Sequence, residues 1–263
     1  MSAAEQRRRI AEEVVAALAG RGSFYFHADL RDFDSAMFFD NERKRLERIR
    51  CHAFAAWVSE WLRVNRADAL FKYIAAAVET AALSSPHTKG ILPESFWASR
   101  PGSIYISNGD AELCRITPRK VEMLPNGTDG ILFCAGQTLK PWRLSKPRDF
   151  FETCRLFADI QDAADNAREI VRLWTLSLPT SPRSKPPLCF YGEIGAGKTV
   201  LARGEAELYG LPPIVATVEE KLEADFWPTV DAGGLFILDN ADTRTRWLAD
   251  AVPQAAPPSP PPC

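Results

Sequence analysis

The chain has 263 residues, 46% of them hydrophobic and 25% charged, with a formal net charge of −2. That is enough apolar material for one large or two small packed domains, and it excludes the global basic excess that advertises nucleic-acid binding. No apolar run approaches the roughly 18 residues of a membrane span, and the opening MSAAEQRRRIAEEVVAALAG interrupts its apolar positions with Glu12 and Glu13, unlike a secretory signal.

These features place the chain in the cytoplasm as an expectation. The six cysteines, Cys51, Cys114, Cys134, Cys154, Cys189 and Cys263, stand singly, and His27, His52 and His87 lie far apart. A structural zinc site needs closely spaced ligand pairs, so buried or reduced thiols are the expected state.

Residues 3–19 carry apolar positions at helical spacing and meet a stop signal at Gly20. Residues 24–40, FYFHADLRDFDSAMFFD, alternate aromatic and polar side chains and predict a short β-hairpin. Its aromatics Phe24, Tyr25, Phe26, Phe33, Phe38 and Phe39 are expected in the core. Its acids Asp29, Asp32, Asp34 and Asp40 are expected in surface turns, not in a metal-binding constellation. The run NERKRLERIRCHAFAAWVSEWLRV places Leu46, Ile49, Phe54, Trp57, Val58, Trp61 and Leu62 largely at helical spacing and predicts a helix. Residues 65–68 break it, and ALFKYIAAAVETAAL predicts another. Residues 1–100 therefore read as a mostly helical N-terminal region.

Within it, residues 41–50 hold five basic and two acidic side chains, a local balance of +3 (5 − 2). Such a face suits DNA phosphates. Pairs at helical spacing, Glu42–Arg45 and Glu47–Arg50, make a solvated helix face the favoured reading. Trp57 and Trp61, four residues apart, read as a core stripe before a base-stacking platform.

Residues 101–147 change character. SIYIS, AELCRIT, KVEML and GILFCA are short strand-like runs, and the turn signals NGD and NGTDG separate the first and last pairs. They predict a small antiparallel sheet, followed by a linker marked by Pro141 and Pro147. Residues 149–178 return to helix, PTSPRSKPP breaks it, and the apolar run 188–191 predicts a strand. The end, 253–263, is dense in proline and expected to be disordered or polyproline-like.

The strongest signal follows that strand. Gly192, Glu193, Ile194, Gly195, Ala196, Gly197, Lys198 and Thr199 match G-x-x-x-x-G-K-[ST] in full. Glycines in such a loop let the backbone wrap phosphates with its N–H groups, and the following helix, predicted over 200–208, adds its positive end. Lys198 would reach the β- and γ-phosphates, and the Thr199 hydroxyl would ligate Mg²⁺. The metal needs a second ligand at the end of another buried strand. GGLFILDNAD supplies it: four apolar residues from Leu235 to Leu238, then Asp239. Between them, Ile214–Val218 predicts an intervening strand, with a short helix after it. Many hydrolysing ATPases of this kind carry Glu next. Here Asn240 stands there, which can orient a water but cannot act as a base. Asp242 is the nearest carboxylate that could compensate, and capping of a helix over 243–250 is its plainer role.

With these residues in view, GEIGAGKTVLARGEAELYG and GGLFILDNADTRTRWLADAV resemble the ATPase core of phage- and plasmid-type replication helicases, the superfamily 3/AAA+ group. The resemblance spans roughly residues 24–252. It implies an α/β P-loop NTPase core over 148–252, with ATP and Mg²⁺ as cofactors. It also implies DNA as a partner of the full-length form and rings of identical subunits in complete relatives. Gly192, Gly195, Gly197, Lys198 and Thr199 take the Walker A roles and Asp239 the Walker B role. Such relatives continue into a sensor strand and an arginine finger, which this chain lacks after 252, so a truncated form with weak or lost turnover is the expectation. A natural short form with its own closure is the alternative. Two other functions stay open: a non-catalytic nucleotide-binding or interaction module, and a small-molecule phosphotransferase. The phosphotransferase would need an arginine-rich lid, and none follows Asp239.

Overall fold

The computed structural model describes residues 2–28, 33–84, 88–109, 111–135, 139–145, 166–180, 187–217, 235–239 and 247. The chain is mixed α/β, with five α-helices and three small sheets among the described residues. It divides into two compact units. One comprises Met1–Trp97, Ser107–Arg115 and Met123–Gln137; the other comprises Ala98–Ile106, Ile116–Glu122 and Thr138–Cys263.

The first unit opens with α1 (Ala3–Arg21), started by a capping box in which Ser2 and Glu5 satisfy each other's backbone N–H groups. β1 (Gly22–His27) follows directly, then β2 (Ala36–Asp40) and β3 (Arg45–Arg48). The predicted hairpin is present: β1 pairs antiparallel with β2, Phe24 opposite Phe38. β3 continues the antiparallel ladder, and β4 (Lys89–Ile91) lies parallel to β1, giving the order β3-β2-β1-β4. Between them come α2 (His52–Leu62) and α3 (Ala69–Ser84).

All five residues of β2 are buried. Successive side chains of a strand point to opposite faces, so a fully buried run must be covered on both. Ala36 and Phe38 pack into the helical layer with Val14, Leu18, Phe54, Ile74 and Val78. Met37 and Phe39 face the other side with Leu46, Tyr25, Ile91 and Leu132. Burial of the Phe38 side chain alone stabilises by about 2–3 kcal/mol. The junction is tight at Gly22, where an added Cβ would sit 2.1 Å from the Phe39 carbonyl oxygen. Only glycine leaves room there for β2.

The helix predicted across 41–64 is corrected at its first half. Residues 41–44 are a turn, β3 occupies 45–48, and helix begins only at His52. Asp40 is the cause. Its Oδ1 accepts from the backbone N–H of Glu42 (2.8 Å) and Arg43 (3.1 Å), and the Lys44 N–H donates to its carbonyl (2.8 Å). Lys44 closes the turn at φ +55°. The expected Glu42–Arg45 and Glu47–Arg50 pairs are replaced. Glu42 pairs with Arg21, Glu47 with Arg43 and Arg45, and Arg50 with Asp34 and Glu79. The local positive balance of 41–50 is thus offset by acids inside and outside the segment.

Asp40 is no surface acid either. It is buried and holds the Arg21 Nε at 2.9 Å. Asp34 is exposed, and Asp29 and Asp32 lie outside the described residues. Trp57 is half-buried, stacked on Phe38 and on the exposed Trp61, with the Arg21 and Arg43 guanidinium groups over its ring at 5.2 and 4.7 Å.

Strands β5 (Trp97–Arg100), β6 (Ser103–Ser107), β7 (Glu112–Ile116) and β8 (Val121–Pro125) stand in that order in a four-stranded sheet. Three of these match SIYIS, AELCRIT and KVEML; β5 was not foreseen. The fourth predicted run, GILFCA, goes elsewhere. Cys134 bridges Leu46, Phe133 bridges Glu94, and the Ala135 N–H donates to the Leu46 carbonyl at 2.7 Å. The buried Asn126 side chain fixes it by bonding both the N–H and the C=O of Phe133 at 2.9 Å. Cys114 is a packed thiol, and burial pushes its pKa up to about 11.

In the second unit, α4 (Ala167–Ser177) realises the end of the helix predicted over 149–178. The remainder of that prediction lies outside the described residues. α5 (Lys198–Leu208), β9 (Ile214–Thr217) and β10 (Phe236–Asp239) follow, and β9 and β10 pair in parallel, Thr217 opposite Asp239. The helix expected after β9, the helix expected over 243–250 apart from Trp247, and the tail 253–263 lie outside the described residues. No helix among the described residues is long and apolar enough to cross a membrane.

Candidate functional site

The loop 192–197 leads into α5, the helix that begins with Lys198. Gly195 and Gly197 take φ of +85° and +79°, backbone that side chains with a Cβ resist. Around both, an added Cβ would meet nothing within 4 Å. Glycine is therefore required at these positions by backbone conformation and not by crowding. The Ala196 N–H donates to the Glu193 carbonyl at 3.2 Å, closing the loop on itself. Gly197 is the N-cap of α5 and offers no side-chain acceptor, so the N–H groups of the first helical turn have no side-chain cap. They carry the positive end of the helix dipole.

The loop faces solvent. Every residue from Tyr191 to Gly197 is exposed, Tyr191 at 87% and Ile194 fully. The strand expected at 188–191 is corrected here: these residues form no ladder, and Cys189 and Tyr191 are exposed. An apolar run marks a tendency to bury, but a strand also needs a partner backbone. Among the described residues the parallel sheet consists of β9 and β10. The Leu235–Leu238 run is also less enclosed than expected, with only Ile237 fully buried.

Lys198 and Thr199 are half-buried at the start of α5. The Lys198 ammonium donates to the Gly192 carbonyl (3.0 Å) and the Glu193 carbonyl (2.8 Å). The predicted lysine is thus held over the mouth of its own loop. Thr199 Oγ1 donates to Asp239 Oδ1 at 3.1 Å. This contact joins residues forty positions apart and places the hydroxyl at the carboxyl end of β10. Of the predicted site residues, the structure brings together Gly192, Glu193, Ile194, Gly195, Ala196, Gly197, Lys198, Thr199 and Asp239. Asn240 and Asp242 lie outside the described residues.

A hydroxyl and a carboxylate in contact are hard oxygen donors. Among the described residues no group of three or more His, Cys, Asp or Glu could hold a metal unaided. One carboxylate and one hydroxyl suit Mg²⁺, which keeps waters and takes its remaining ligands from phosphates. They do not suit zinc, which wants a closed set of nitrogen and sulfur ligands.

Three residues that the sequence reading passed over anchor α5 from behind. Glu205 is buried, with 1% of its surface exposed, and its Oε2 lies 2.7 Å from Thr175 Oγ1 on α4. The Tyr209 hydroxyl donates to the Thr175 carbonyl at 2.7 Å. Burial pushes the Glu205 pKa up to about 7, and it raises that of the Tyr209 phenol further above its ordinary range, with the Glu205 charge adding to the rise. A glutamate in a helix of mixed composition gives no sequence signal of this. The flanking Gly204 and Ala206, both buried, are the only hint of close packing.

No family model, no curated protein and no solved structure matches this chain.

Proposed function

We propose that residues 192–199 bind the phosphates of a nucleoside triphosphate, ATP first among them, with Mg²⁺ held between Thr199 and Asp239. The observation that carries this reading is the Thr199–Asp239 hydrogen bond. The sequence pairs those residues only through the two-part nucleotide motif, and the chain folds them into contact. Three further features support it: the glycine φ angles, the helix start without a side-chain cap, and a lysine on the loop's own carbonyls. The phosphates would take the ammonium from those carbonyls, an exchange of neutral acceptors for anionic ones, which form the stronger hydrogen bonds. Bound Mg²⁺ would offset phosphate charge.

In its wider setting we read the chain as the nucleotide-gripping part of a replication-type ATPase or DNA helicase of the P-loop class. DNA and further copies of the chain would be its partners. Binding with little turnover is the second reading. Asn240 favours it, because an amide following Asp239 cannot take a proton from the attacking water. One experiment separates the readings: ATP binding measured beside ATP hydrolysis, with and without DNA. Hydrolysis stimulated by DNA supports the helicase reading. Binding without hydrolysis supports the second. Phosphate transfer to a metabolite, indifferent to DNA, contradicts both.

A further inference from the structure

The polar cluster behind α5 belongs to no part of the nucleotide site, and its hydrogen-bond arithmetic does not close with a carboxylate. Thr175 Oγ1 lies 2.7 Å from the Val171 carbonyl and 2.7 Å from Glu205 Oε2. A hydroxyl has one hydrogen, and a backbone carbonyl only accepts. Threonine in a helix commonly gives that hydrogen to the carbonyl four residues back. The contact with Glu205 then needs a hydrogen from Glu205. Its other oxygen, Oε1, is buried with no hydrogen-bond partner among the described residues. An ionised carboxylate there would lack compensating donors at one or both oxygens, which is costly in a desolvated site.

We propose that Glu205 is a carboxylic acid that donates from Oε2 to Thr175 Oγ1, so that the tie between α4 and the helix carrying Lys198 and Thr199 depends on a proton. The direction of the pKa shift agrees, and burial is its largest cause. Of the groups beside it, the Thr175 hydroxyl on α4 favours the charged form by its hydrogen bond, and burial outweighs it; Tyr209, the other titratable group beside it, stays neutral. Because the folded-state pKa lies above the ordinary value, the proton's contribution to stability is full at low pH. It is lost as pH rises from the ordinary glutamate value through about 7. Loss of the proton removes the donor and leaves an anion facing Thr175. The Thr175 hydroxyl then turns its hydrogen to the carboxylate, but the buried Oε1 is left charged with no donor among the described residues, so the tie at the end of α5 remote from the phosphate loop is weakened while the Tyr209 bond stays.

The test needs no variant to begin. In wild-type protein labelled with ¹³C at glutamate carboxyls, one resonance should titrate near pH 7, and it should be missing from Glu205→Gln. If every glutamate titrates below about pH 5, the proposal is overturned. As a second readout, wild type and Glu205→Gln are unfolded by urea at pH 5 and pH 8.5. Glutamine keeps a donor and cannot ionise. The wild-type folding equilibrium should fall by about 70-fold more than that of the variant across this range, the part of the effect of a shift from 4.5 to about 7 that falls between pH 5 and pH 8.5. Equal pH dependence in the two proteins overturns the proposal. Neither measurement involves nucleotide, so its outcome is independent of the reading of the phosphate loop.

Discussion

Two short segments of this chain are held in place in opposite ways. In β2, Ala36–Asp40, every residue is buried, and the strand is fixed by side chains on both of its faces. From Tyr191 to Gly197 every residue is exposed, and the loop is fixed by backbone angles and by its own carbonyls. The first kind of order is sensitive to volume. The second is sensitive to backbone freedom and to one ammonium group. A segment built for packing and a segment built for a ligand should therefore fail under different substitutions and in different assays.

The comparison breaks most visibly at Phe38. Phe38→Ala leaves a cavity between the sheet and its helices and should cost about 4 kcal/mol in urea unfolding, while nucleotide affinity in the folded fraction stays unchanged. Asp40→Ala comes next. It leaves Arg21 without its buried partner and opens the turn before β3, at a cost of about 3 kcal/mol; a loss under 1 kcal/mol would show that the turn holds without its carboxylate. Asn126→Ala strips the partners from both backbone groups of Phe133 and should cost about 2 kcal/mol by the same measurement. Gly197→Ala sits between the two classes. It meets no atom, so its cost of about 1–2 kcal/mol is backbone strain alone, and it should weaken nucleotide binding as well. Lys198→Ala lies at the far end. It should move stability by less than about 0.5 kcal/mol, because its ammonium bonds only two carbonyls of an exposed loop that water can satisfy instead.

Much of the first unit was legible because its sequence patterns and its burial have the same cause. The aromatic density of residues 24–40 reflects the pairing of β1 with a β2 buried on both faces, and the apolar spacing of residues 69–83 is the buried face of α3. What failed there failed for a physical reason. Leu46 and Ile49 stand three apart, a spacing that fits a helix. The turn that Asp40 caps takes the chain out of helical conformation before either residue is reached. Buried acids such as Asp40 and Glu205 carry no pattern, since a carboxylate in solvent and one in a core are the same letter. At the site, the loop and Asp239 were legible because they are a chemical motif whose residue types are set by phosphate and Mg²⁺. The lead-in run 188–191 was misread because its apolarity says nothing about which backbone would pair with it.

The central claim is that the exposed loop is ordered for a triphosphate, and equilibrium titration of a fluorescent ATP analogue with Mg²⁺ tests it most directly. Wild-type protein and Lys198→Ala, shown to be equally folded, are compared with Asp239→Asn in the presence and absence of Mg²⁺. Saturable binding by wild type should weaken at least tenfold in Lys198→Ala, a change of about 1.4 kcal/mol or more. The benefit of Mg²⁺ should shrink in Asp239→Asn. Equal affinity in wild type and Lys198→Ala, or no saturable binding by wild type at all, would contradict the account.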